Sequence, residues 1–97
     1  MELYPEILQV LPTDDYIIYA YMNDGSVRKY DVRPLIEKGG VFAPLADINV
    51  FKATATVMNN TAAWDISGRR DEWDCIDIDP YTIAKAPAVA DPLDAAS

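Results

Sequence analysis

Between residues 71 and 79 the chain places five carboxylates, Asp71, Glu72, Asp74, Asp77 and Asp79, around Trp73 and its only cysteine, Cys75. Oxygen donors of this type suit calcium or magnesium. An EF-hand loop, however, needs a glycine at its sharp turn and a closing glutamate, and this segment has neither. If residues 75–79 are extended, Ile76 and Ile78 face the core while Asp77 and Asp79 face water. Asp79 also precedes a proline, the place of a helix cap. The expectation is a solvated face, with no metal and no cofactor.

Nucleophilic chemistry fares no better. The chain has no histidine, which removes the commonest general base and the commonest zinc ligand together. Ser-His-Asp and Cys-His arrangements therefore cannot form within it. Cys75 has no second thiol beside it, and its acidic neighbours oppose a thiolate. Paired carboxylates would need one member in a pocket that raises its pKa, and a body of this size leaves little room for a large cleft. The adjacent glycines Gly39-Gly40 end a helix and do not form a phosphate loop. The reading is that the chain is not an enzyme.

The aromatic residues offer more. In Tyr16-Ile17-Ile18-Tyr19-Ala20-Tyr21-Met22, strand alternation sends Tyr16, Ile18, Ala20 and Met22 to one face and Ile17, Tyr19 and Tyr21 to the other. With the first set in the core, the second forms an unusually apolar outer stripe. Residues 80–90 or a second copy of the chain are expected to cover it, or a protein partner docks there, since tyrosine is favoured at interfaces. Trp73, beside Arg69-Arg70, is a further candidate anchor.

The elements that position these residues follow from local chemistry. Ile7-Leu8-Gln9-Val10-Leu11 reads as a strand closed by Pro12. Residues 16–22 and 26–30 flank Asn23-Asp24-Gly25, the mark of a β-hairpin with a tight primed turn. Pro34 and Gly39-Gly40 bracket a short helix over residues 31–40. Asp47 caps a turn through Phe51, and Phe51-Lys52-Ala53-Thr54-Ala55-Thr56-Val57 alternates as a strand should. Asn59-Asn60-Thr61 turns the chain into a partner strand ending in Trp64-Asp65-Ile66. A last extended piece at 75–79 leads into a helical turn through Lys85. The expectation is an α+β fold: one antiparallel sheet of about four to five strands with two or three short helices. Residues 1–86 form the domain, and 87–97, rich in alanine, proline and acid, form a flexible tail.

Composition narrows the function classes. Ninety-seven residues with 51% hydrophobic content fit one domain. The net charge is −8, of which residues 71–97 carry −6. Phosphate-dominated binding needs a basic stripe, so direct nucleic-acid binding is not expected. No apolar run reaches the length of a membrane span, and a single cysteine cannot form an internal disulfide. The reading is an acidic, soluble, cytoplasmic protein.

The order Asp15-Tyr16, Asn23-Asp24-Gly25, Tyr30-Asp31-Val32, Pro34-Leu35-Ile36, Val41-Phe42, Leu45, Phe51, Trp64-Asp65 and Ile76-Asp77-Ile78-Asp79-Pro80 resembles the bacterial family known as domain of unknown function 2442. The resemblance spans residues 5–85. It implies an α+β unit built on an antiparallel sheet and no established activity. Some members of that family carry a helix-turn-helix after the domain, which nothing beyond residue 86 supplies here. Others lie beside genes for a small family suspected of acting as a toxin. The resulting expectation is a non-enzymatic interaction module, antitoxin-like or regulatory, whose partner is a protein encoded nearby or another copy of itself. The alternative is a small-ligand or cation-binding protein using the acidic loop 71–79.

Overall fold

The computed structural model describes residues 4–68 and 75–93. These form an α+β arrangement of seven strands in two antiparallel sheets, with several short helices. The first sheet holds β1 (Ile7–Pro12), β2 (Ile17–Met22), β3 (Val27–Asp31) and β7 (Ala88–Val89), in that order. The second holds β4 (Ala55–Met58), β5 (Thr61–Trp64) and β6 (Ile76–Ile78). One hydrophobic cluster draws on both sheets, with Ile7, Ile18, Ala20 and Met22 from the first and Ala62, Trp64, Ile76 and Ile78 from the second. At its centre Phe51 and Trp64 lie 5.6 Å apart, ring to ring, and the Trp64 Nε1–H donates to the Phe51 carbonyl at 3.1 Å.

The β2–β3 hairpin forms where expected, but by a different turn. Among Asn23, Asp24 and Gly25 only Gly25 has a positive φ, at 87°. A two-residue primed turn of type I′ needs two such residues. A single one after a type I turn makes the three-residue loop with a glycine bulge. The Asp24 carboxylate stabilises it by accepting from the Ser26 N–H at 2.9 Å and the Ser26 hydroxyl at 2.6 Å. These two bonds hold its pKa below the usual carboxylate value. The primed geometry appears instead between β4 and β5, where Asn59 and Asn60 both have positive φ.

Helix α1 (Arg33–Lys38) carries Pro34 in its first turn and ends at Gly39, whose φ of 77° suits glycine alone without strain. A 3-10 turn over Gly40–Ala46 then lowers Leu45 into the core. Helix α2 (Ile48–Thr54) starts under the Asp47 side chain, which accepts from the Asn49 N–H at 3.0 Å. It runs further than the alternation of residues 51–57 suggests. Phe51 through Thr54 are helical, and the strand begins only at Ala55. Alanine and lysine favour helix over strand, and the Thr54 hydroxyl donates back to the Val50 carbonyl at 2.8 Å. Ala53 is consequently exposed, where a strand would have buried it with Phe51.

Helix α3 (Pro80–Ala84) is capped by Asp79, which accepts from the Tyr81 N–H at 2.8 Å. It drops Ile83 into the core and returns the chain to the first sheet. Past the domain limit expected at residue 86, the described part of the segment pairs with β3, Val89 opposite Val27 and Ala88 opposite Arg28. Two facing valines suit a strand pair. The ladder stops at Pro87, whose carbonyl accepts from the Lys29 N–H at 3.0 Å. Proline has no N–H to return, so pairing ends there.

Candidate functional site

Strand alternation on β2 separates two sets of residues. Ile18, Ala20 and Met22 are buried in the core, and Tyr16 packs edge-on to Phe51 at 5.4 Å. Tyr16 has a φ of 61°, a left-handed conformation unusual for an aromatic residue. That ring contact, with the hydroxyl bond to the Ala46 carbonyl, holds it there.

Ile17, Tyr19 and Tyr21 occupy the opposite face and are all partly exposed. Register places Leu11 and Lys29 on either side of Tyr19, and Gln9 and Val27 on either side of Tyr21. At the Tyr21 end the C-terminal segment closes over the face. The Tyr21 hydroxyl donates to Asp91 Oδ1 at 2.7 Å, and Val27 is buried although it lies outside the core cluster. Part of the expected cover therefore comes from just beyond residues 80–90. At the other end, Leu11, Tyr19 and Ile17 keep a partly exposed apolar surface.

Of the acidic loop, Asp77 is exposed between the buried Ile76 and Ile78, and Asp79 is the cap of α3. Among the described residues no three histidine, cysteine or acidic side chains converge as a metal site would require. Asp71, Glu72 and Asp74 lie outside the described residues, as does Trp73, the other candidate docking residue, with Arg69 and Arg70.

A cleft of about 620 Å3 lies at the edge of β3 where the β7 ladder stops. Ile17, Pro34, Ala86 and Pro87 supply apolar lining, and Lys29, Tyr30, Asp31, Thr82 and Lys85 the polar part. Because the Lys29 N–H points outward to Pro87, alternation turns the Lys29 carbonyl and the Asp31 N–H toward the same open edge. On the opposite wall are Thr82 of α3 and Lys85, the C-cap residue of that helix. The Asp31 carboxylate is engaged by the Arg33 guanidinium in two 3.2 Å bonds. The Arg33 side-chain bond is the main cause of its lowered pKa, and the charge of Lys29 adds to it. Burial raises the Tyr30 hydroxyl above the ordinary phenol value, helped by the negative charge of Asp31. Nothing local in the sequence marks this cleft, since its two lysines lie far apart along the chain.

A family model described as "Protein of unknown function (DUF2442)" matches residues 7–86. The match covers most of the chain, which belongs to that family. No curated protein and no solved structure matches it. Among the described residues no helix is long and apolar enough to cross a membrane.

Proposed function

We propose that this member of the family is a non-enzymatic interaction module, antitoxin-like or regulatory, which engages a protein partner through the outer face of its four-stranded sheet. The observation that carries the reading is the uneven cover of β2. The C-terminal segment is fastened at Tyr21, while Tyr19, Ile17 and Leu11 stay partly exposed on the same face. An aromatic flanked by aliphatic residues is the composition of an interface anchor. The net charge of −8 favours a partner with a basic rim.

Capture from the host on tagged wild-type chain and on a Tyr19→Ser variant, read by mass spectrometry, tests the proposal. A protein retained by the first and lost by the second supports it. Identical capture by both chains, with no change in the mass of the purified protein, overturns it.

A further inference from the structure

We infer that the cleft at the open edge of β3 binds a small organic anion, a carboxylate with an apolar body, between Lys29 and Lys85. This site adjoins the partner surface proposed for β2 and shares Ile17 with it, but stands on separate observations. The first is charge. In a chain of net −8, two of its four lysines line one cleft. Among the described residues neither ammonium takes part in an ion pair or a hydrogen bond: the ion pairs there are Arg33 with Asp31 and Lys52 with Asp14. An acidic protein that concentrates free ammoniums at one concavity creates a local positive potential against its own background.

The second observation is the balance within the cleft. Lys29 and Lys85 bring two positive charges, and the one carboxylate of the lining, Asp31, is already paired with Arg33. The charge left uncompensated is positive and suits an anion. Asp31 does not compete for the ligand's place, because Arg33 holds both of its oxygens.

The third is the shape and chemistry of the walls. A volume of about 620 Å3 is within the usual range for small-ligand sites. Ile17, Pro34, Ala86 and Pro87 offer an apolar bed. The Thr82 hydroxyl and the Asp31 N–H, turned outward by strand alternation, are neutral donors beside the two ammoniums. The cleft exists because Pro87 cannot extend the β7 ladder.

Benzoate, titrated into 15N-labelled protein at 0.15 M salt and followed by amide chemical shifts, is the probe. Benzyl alcohol and inorganic phosphate serve as matched controls. Benzoate is expected to move the amides of residues 29–31 and 82–86 along one saturable curve. Benzyl alcohol, lacking the charge, and phosphate, lacking the apolar body, leave them in place. In the Lys29→Gln/Lys85→Gln variant the benzoate midpoint rises about tenfold or more. Both side chains are exposed, so this variant retains the dispersed spectrum of the folded chain, which the same experiment verifies. Absence of a saturable benzoate shift overturns the inference. So does an unchanged midpoint in the variant, or a matching response to benzyl alcohol or phosphate. None of these probes is a protein, so failure here leaves the partner surface on β2 untouched.

Discussion

The two sheets use their central strands in opposite ways. In the three-stranded sheet every residue of β5, Thr61 through Trp64, is buried. In the four-stranded sheet β2 alternates strictly, with Ile18, Ala20 and Met22 buried and Ile17, Tyr19 and Tyr21 partly exposed. A strand buried on both faces has spent its side chains on the core and has none left for a partner. A strand with one half-covered apolar face retains surface that another molecule can bury. The difference arises from position. Helix α2 packs Phe51 against Trp64, whereas among the described residues the outer face of β2 receives the short C-terminal segment at its Tyr21 end.

The largest effect should come from breaking the buried side of this comparison. Trp64→Ala removes a fully buried ring and leaves the Phe51 carbonyl without its donor, so urea denaturation should show a loss of about 3–5 kcal/mol. The matching change on β2, Tyr19→Ser with Tyr21→Ser, removes partly exposed rings and one hydrogen bond to Asp91. It should cost about 1–3 kcal/mol, and Tyr21 should account for more of it than Tyr19. Equal losses from the two experiments would mean that the outer face is as much core as β5.

Smaller still is the cap of α3, which guides the chain back to the first sheet. Asp79→Ala should cost about 1 kcal/mol and loosen the return of β7, seen as faster exchange of the Lys29 amide. Millimolar calcium should leave the melting temperature of wild-type protein unchanged, since Asp79 is committed to the helix.

The smallest effect concerns pH. Tyr30 has a raised pKa in the folded chain, through burial and then Asp31. The native state thus holds the phenol proton more tightly than the unfolded chain. This contribution to stability is complete below the ordinary phenol value of about 10 and is lost as pH rises through the folded pKa. Denaturation midpoints should therefore fall above that pH, and Tyr30→Phe should fall less.

What the sequence disclosed was mostly local. Caps at Asp47 and Asp79, the proline of α1 and the inward Ile18, Ala20 and Met22 of β2 depend on neighbours a few residues away, and all are found in place, whereas Tyr16 precedes the strand in a left-handed conformation. The boundary between α2 and β4 was not legible, because residues 51–57 alternate as a strand while containing good helix formers. The helix is found together with the Thr54 bond to Val50 and the packing of Phe51 against Trp64. The division into two sheets depends on long-range pairing, which local pattern cannot rank. The same holds for the cleft. Lys29 and Lys85 line one cleft because Val89 pairs with Val27, in a segment whose composition reads as a tail. Ile17, Tyr19 and Tyr21 were legible as an outer face, but the bond from Tyr21 to Asp91 was not.

The central claim is that the outer face of β2 is kept for another protein. Hydroxyl-radical footprinting tests it most directly, with the ratio of Tyr19 to Tyr4 oxidation as the readout. Tyr4 is 76% exposed and Trp64 fully buried, so the two serve as internal references for accessible and inaccessible rings. In dilute purified protein Tyr19 should be oxidised and Trp64 spared. In host extract the Tyr19 to Tyr4 ratio should fall severalfold while Trp64 stays unmodified. A ratio that is the same in buffer and in extract would contradict the account, because the face would then be as bare among its natural neighbours as it is alone.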